Sequence, residues 1–154
     1  KMKIIIIIII YLLSVKDGSA ETKLPECTGT QSLLWNDCRG AKVINLSAYV
    51  GEFRNGLPEG YGTFTYSDGA VYVGSFKGGK EHGTGTFTCW THGSQYTGQF
   101  QNGKKHGNGI YKYPDGVIYD GEWREGIREG DGVLTYIDGT KLIGKFSNDK
   151  YVGK

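Results

Sequence analysis

One spacing constrains this chain more than any other feature. Aligned segments start at Tyr49, Tyr72, Tyr96, Tyr119 and Leu142, which lie 23, 24, 23 and 23 residues apart. The first segment reads YVGEFRNGLPEGYGTFTYSDGAV and the third YTGQFQNGKKHGNGIYKYPDGVI. Self-similarity at a fixed period of this length marks a repeat protein, in which each unit buries its apolar face only by stacking on its neighbours. The units run 49–71, 72–95, 96–118 and 119–141, with a partial fifth over 142–154. Unit two carries an extra residue within Cys89-Trp90-Thr91-His92-Gly93. Glycine is abundant at 26 residues, yet aromatics make up 13% of the chain, which excludes aromatic-poor disordered sequence, and glycine does not fall at every third position as in collagen.

Each unit holds two stretches that read as five-residue strands, Tyr49–Phe53 and Gly62–Tyr66 in the first. Side chains alternate across a strand, so Tyr49, Gly51 and Phe53 share a face, as do Gly62, Phe64 and Tyr66. Val50, Glu52, Thr63 and Thr65 take the other. Antiparallel pairing that sets Tyr49 against Tyr66, Gly51 against Phe64 and Phe53 against Gly62 places every strand glycine beneath a ring. Cross-strand aromatics are known to rescue strand glycines in this way. The same register sets Phe64 against Gly74, Gly62 against Phe76, Tyr111 against Gly121 and Gly109 against Trp123. Asn55-Gly56 and Asn102-Gly103 supply turns within repeats, and Asp68-Gly69, Asp115-Gly116 and Asp138-Gly139 supply turns between them. The expected fold is all-β: an elongated, right-twisted single sheet of tandem antiparallel β-hairpins. A preceding strand is expected over Gly40 to Ile44.

The pattern YxGxF…NGxxHGxGxxxYxDG, as it stands in Tyr96 to Gly116, resembles the MORN repeat family, and the likeness covers residues 49–154. The stretch LPECTGTQSLLWNDCRG over residues 24–40 is also similar to the Cys-bounded lead-in that precedes such repeats in exported bacterial proteins. The resemblance implies a scaffold rather than a catalyst, and the family's name (membrane occupation and recognition) implies a role at membrane surfaces. Cys89 stands where Tyr66 and Tyr113 stand in other units, and Leu142 replaces the initial Tyr. These departures put the aromatic face of units two and five in question.

The N-terminus reads as a processing segment. Lys1, Met2 and Lys3 precede the ten-residue apolar run Ile4 to Leu13, which is shorter than the roughly 20 residues a membrane span needs. Gly18-Ser19-Ala20 offers small residues for cleavage between Ala20 and Glu21. Residues 1–20 are therefore expected to be a signal peptide, with an uncleaved anchor as the alternative, and the protein to be exported, periplasmic or secreted. Residues 21–48 would form a cap. Within it Cys27 and Cys38 are natural disulfide partners in an oxidising compartment. A half metal site is the other reading of that pair, but no second Cys/His pair with ligand spacing follows. Of 18 Lys and Arg and 16 Asp and Glu, residues 1–20 hold three and one, so the remainder is balanced. A balanced chain gives no electrostatic reason to expect nucleic acid as a partner.

Candidate chemistry is sparse. His82 and His106 occupy equivalent turn positions, where units one and four carry Glu59 and Glu129. Two strands of separation is roughly 9.5 Å, too far to share a metal at bonds of about 2 Å. Cys89 is expected opposite Tyr96, packed as a small apolar residue, with His92 nearby as the only argument for a nucleophile. The periodic turn aspartates do not resemble one catalytic pair of carboxylates. Lys104-Lys105-His106, with Lys80 a repeat away, reads as a solvated turn. No catalytic residue, metal or cofactor is expected.

The feature most able to carry function is the aromatic face: Tyr49, Phe53, Phe64, Tyr66, Tyr72, Phe76, Phe87, Tyr96, Phe100, Tyr111, Tyr113, Tyr119, Trp123 and Tyr136. A single-layer sheet has no second layer to cover it, and exposed apolar grooves usually mean a partner. The leading expectation is a protein-interaction scaffold that uses this face or an open edge strand at Leu142, Gly144 and Phe146, where homodimerisation could occur. Phospholipid headgroups and a cell-envelope glycan stacked on Tyr and Trp rings are the alternative ligands.

Overall fold

The computed structural model describes residues 24–154. The expected signal peptide and the Ala20–Glu21 cleavage site lie outside the described residues. A 3-10 turn, Ser32–Leu34, leads into β1 (Cys38–Ile44), β2 (Ser47–Arg54), β3 (Leu57–Thr65), β4 (Val71–Lys77), β5 (Lys80–Cys89) and β6 (Ser94–Gln101). Next come β7 (Lys104–Lys112), β8 (Ile118–Arg124), β9 (Ile127–Thr135), β10 (Lys141–Ser147) and β11 (Lys150–Gly153). All strands belong to one open antiparallel sheet in sequence order, β1 to β11. At about 4.8 Å between neighbours the sheet is about 48 Å across. The all-β hairpin architecture read from the sequence is therefore the one observed, with strands of seven to ten residues before the short β11.

Two kinds of connection build it. The hairpins β2–β3, β4–β5, β6–β7 and β8–β9 close through two residues at positive φ: Asn55-Gly56, Gly78-Gly79, Asn102-Gly103 and Glu125-Gly126. Turns with both central residues at positive φ match the twist of the flanking strands. Repeats join through wider turns such as Tyr66–Ala70, where Tyr66 N–H donates to Ala70 O at 2.8 Å and the Asp68 carboxylate accepts from Ala70 N–H at 2.9 Å. In unit two the extra residue falls in the turn between Cys89 and Ser94, and the flanking register Phe87↔Tyr96 is kept. Successive hairpin turns are tied together: Gly79, Gly103 and Gly126 N–H donate to the carbonyls of Pro58, Glu81 and Lys105 in the preceding unit, each at 2.9 Å.

The register differs from the expected one by two residues. Tyr49 pairs with Phe64 and Phe64 with Tyr72, while Gly51 pairs with Gly62 and Gly62 with Gly74. Likewise Tyr111 pairs with Tyr119, Gly109 with Gly121, and Gly107 with Trp123. Glycine thus meets glycine across the sheet, from Gly40↔Gly51 through to Gly132↔Gly144. The ring still covers the glycine, but by lying along its own strand rather than across from the next. A Cβ built on Gly51 or Gly62 would fall 2.6 Å from Tyr49 Cζ, and one on Gly85 would fall 2.5 Å from Tyr72 Cζ. Each tyrosine then anchors its hydroxyl three residues on. Tyr49, Tyr72, Tyr96 and Tyr119 Oη donate to the carbonyls of Glu52, Ser75, Gln99 and Glu122 at 2.9–3.1 Å.

Both ends of the glycine row have a substitute for that tyrosine. At the N-terminal end Cys27 and Cys38 form the expected disulfide, with Cα atoms 4.9 Å apart, and Cys27 N–H donates to Arg39 O at 2.8 Å. This holds Trp35 over Gly40 and against Phe53, and the Trp35 carbonyl accepts from Gly56 N–H at 2.7 Å. The cap so presents to unit one what each unit presents to the next. At the other end, where Leu142 replaces the tyrosine, Tyr151 reaches back from β11 to lie over Gly144 and donates to Ile143 O at 3.1 Å. The expected open edge at β10 is accordingly half covered. Lys145, Phe146 and Ser147 pair with β11, whereas Leu142 and Ile143 have strand pairing only with β9.

Candidate functional site

The rings on the aromatic face fall into two rows. Eight of the expected face residues are buried: Tyr49, Phe53, Tyr72, Phe76, Tyr96, Phe100, Tyr119 and Trp123. They meet edge to face in an unbroken ladder from Trp35 through these eight to Phe146 and Tyr151, with centroids 4.8–5.6 Å apart. Such pairs contribute about 0.5–1.5 kcal/mol each beyond the area they bury. Burial also holds the spine phenols neutral, with Tyr96 and Tyr119 pushed up to about 12 and Tyr49 and Tyr72 higher still. These rings form the core, not a surface. The expected accessible face shrinks to Phe64, Tyr66, Phe87, Tyr111 and Tyr113, which are half-buried, and the exposed Tyr136.

A groove of about 320 Å³ runs beside this second row, lined by Tyr66, Phe87, Tyr111 and Lys104 and by the side chains of Glu81 and Lys105 from the same hairpin column. Those two charges come from one position in the repeat, occupied by Pro58, Glu81, Lys105, Arg128 and Tyr151 in successive units. Tyr66 Oη donates to the Glu81 carboxylate, while burial first and that carboxylate second push the Tyr66 phenol up. Lys105 Nζ lies 4.3 Å from the Tyr111 ring centroid and 4.2 Å from that of Trp123. Desolvation there pulls the Lys105 ammonium below the ordinary lysine range. Arg128 lies over Tyr119 and Phe146 and is held by Asp149, whose carboxylate accepts from its backbone N–H at 2.9 Å and its Nε at 3.3 Å.

Sequence reasoning placed Lys105 in a solvated turn with Lys104 and His106, and the three in fact part company. Lys104 points out to an exposed pair with Glu125 at 2.7 Å, whereas Lys105 turns onto the aromatic face. A signal for this was present: the column Pro58, Glu81, Lys105, Arg128 and Tyr151 varies, while the glycines two residues to either side, Gly56, Gly79, Gly103 and Gly126 before it and Gly60, Gly83, Gly107 and Gly130 after it, do not. Variation within an otherwise constant repeat marks positions the sheet does not need for packing. The turn reading of Glu59 and Glu129 fits their bonds, since both carboxylates accept from the first backbone N–H of the next hairpin turn, Gly78 at 2.8 Å and Asn148 at 3.0 Å. His82 and His106 hold the corresponding places in units two and three. Among the described residues no cluster of His, Cys, Asp and Glu could hold a metal.

Cys89 is not opposite Tyr96 but opposite Ser94, at the mouth of the longer turn. Its thiol lies 3.3 Å from Thr91 Oγ1 and 3.2 Å from His92 Nδ1, and those hydrogen bonds lower its pKa to about 7. On the opposite face a larger but shallower depression, about 440 Å³, is lined by Val73, Thr84, Thr86, Thr97, Gln99 and Asn108 over the backs of the sheet glycines. It holds no charged side chain, so the smaller groove with its rings and charges is the better candidate site.

A sheet of stacked hairpins, whose invariant residues build a core and whose variable ones line a groove, defines a tandem-repeat scaffold. The MORN repeat model matches residues 49–71, 72–89, 96–118 and 119–141, and the chain belongs to this family. The second match ends at Cys89, just before the lengthened turn. No curated protein matches the chain. Repeats of this family generally serve as protein- or membrane-interaction modules and are typically non-enzymatic.

Proposed function

We propose that this protein is a non-enzymatic scaffold, acting outside the cytoplasm, that holds a partner polypeptide along the aromatic groove. One observation carries the reading: on a face whose spine rings are sealed into the core, Tyr66, Phe87 and Tyr111 stay only partly buried along a groove that holds charges of both signs. Apolar surface with interspersed polar groups suits polypeptide side chains, because rings supply desolvated area and charges fix register. An anionic bilayer would be better met by a larger basic cluster; here Glu81 shares the groove with Lys105, and Lys104 is paired with Glu125. The Cys27–Cys38 disulfide supports export, since such bonds persist in oxidising compartments.

The test presents the immobilised full chain to a display library of random short peptides, with vesicle co-sedimentation alongside. Related peptide sequences should be enriched, and their binding should be lost in Phe87→Ala and Tyr111→Ala chains. Co-sedimentation with anionic vesicles that survives physiological salt, and disappears in the same two variants, would make the groove a membrane contact instead.

A further inference from the structure

Resting on that reading of the groove, the geometry points to Lys105 as the position that receives an acidic side chain of the bound polypeptide. The repeat column presents three charged side chains, of which Glu81 and Lys105 line the groove, and two of the three, Glu81 and Arg128, are already satisfied within the sheet. Glu81 accepts from Tyr66 Oη, and Arg128 is held by Asp149 through its backbone and its guanidinium. Lys105 is half-buried, yet among the described residues no carboxylate comes within ion-pair distance of it. Asp149 and Arg128 are the charges that act on it most, and Asp149 Oδ1 is taken up by the Arg128 backbone N–H and Nε. The faces of Tyr111 and Trp123 stabilise the ammonium from beneath but give its N–H donors no lone pair to bond.

A half-buried cation without a counter-ion loses hydration that an arriving carboxylate restores through charge-assisted hydrogen bonds. Tyr111 and Phe87 flank the place where that carboxylate would enter, so the residues beside it in the partner should be apolar or aromatic. The recognised element is an acidic residue within an apolar stretch. Lys104, next in sequence, also lines the groove, but it is exposed and already paired with Glu125, so it offers a weaker selection.

The peptide selection decides this at sequence level. The native chain should enrich Asp or Glu at one position between apolar residues. A Lys105→Gln chain, shown by circular dichroism to keep its sheet, should lose that enrichment and bind the synthetic acidic peptides roughly tenfold more weakly or worse. Lys105→Glu should enrich Lys or Arg at the same position, an exchange that mere misfolding cannot produce. Lys104→Gln, a change at the exposed and already paired lysine of the groove, should keep the acidic residue in the enriched peptides. Enriched peptides that lack the acidic residue, or that Lys105→Gln binds equally well, overturn the role of Lys105 and leave the groove reading standing. Failure of the native chain to enrich any related sequences overturns the groove reading itself. Vesicle binding lost on Lys105→Gln, with no peptide enriched, would assign the anion to a lipid phosphate and overturn the proposal too.

Discussion

Phe76 and Phe87 lie on the same face, in adjoining strands of one repeat, and their circumstances differ. Phe76 is 4% exposed, wedged edge-on between Tyr49 and Tyr72, whereas Phe87 is half-buried and has Tyr66 as its one ring partner. The difference comes from what lies beneath and beside them. Each spine tyrosine can lie flat because two paired glycines remove the Cβ atoms under it, and the Phe of its own unit and the Phe or Trp of the next then close against its edges. Phe64, Phe87 and Tyr111 have no glycine pair reserved for them and no second layer above. An all-aromatic face therefore divides into a structural row and an available row through the placement of glycine alone.

The spine fails as a unit when its phenols are forced to ionise, and this is the largest effect expected. Tyrosine titrates near 10 when unperturbed, and burial raises Tyr96 and Tyr119 to about 12 and Tyr49 and Tyr72 further. A group raised in the folded state stabilises the fold fully below its unfolded pKa, and that contribution is lost as pH climbs through the folded value. Far-ultraviolet circular dichroism should stay native to about pH 10 and collapse between 10 and 12, with phenolate absorbance rising in the same step. Spine phenolates that appear while the sheet signal is intact would mean the row is not sealed.

Truncating one spine ring comes next. Tyr72→Ala removes a fully buried ring, its contacts with Phe76 and Phe100, and its hydroxyl bond to Ser75 O. The loss should be about 4 kcal/mol in urea unfolding, as for other buried aromatics. Gly85→Ala approaches the same lock from below. The added methyl would fall 2.5 Å from Tyr72 Cζ and must push the ring off its seat, at about 2–3 kcal/mol. A cost under about 0.5 kcal/mol, the range of unstrained surface changes, would show that the ring has room to move and that the glycine row is not what seals the spine.

How much of this could be read from the amino acids follows the same division. The single sheet, its hairpins and the turn residues were legible because Gly and aromatic residues return at one period, and turns such as Asn55-Gly56 accept positive φ. The sharing of faces was legible too. Register was not: pairing Gly51 with Phe64 also put a ring near every glycine, and only the local lie of Tyr49 over Gly51 and Gly62, with its bond to Glu52 O, selects glycine against glycine. That bond joins residues three apart on one strand, a contact alternation rules do not describe. The same two-residue slip misplaced Cys89. Which rings would be sealed depended on the register, so the candidate face came out too large. The charges over the groove were missed because Lys105 was grouped with its chain neighbours instead of with Glu81 and Arg128, its counterparts in the repeat.

The smallest effect expected is the one that separates the rows most directly. Phe87→Ala removes a ring as large as that of Phe76, yet that ring is only partly buried and lines an open groove, so its removal opens no sealed cavity. Without the cavity penalty the cost reduces to partial transfer of the ring, about 1 kcal/mol. Measured beside Tyr72→Ala, it should shift the unfolding midpoint about a quarter as far while abolishing selection of groove-binding peptides. Equal destabilisation by the two substitutions would place Phe87 in the core and remove the wall on which the groove depends. A small stability cost with peptide binding intact would leave the spine as described but move the interaction surface elsewhere on the sheet.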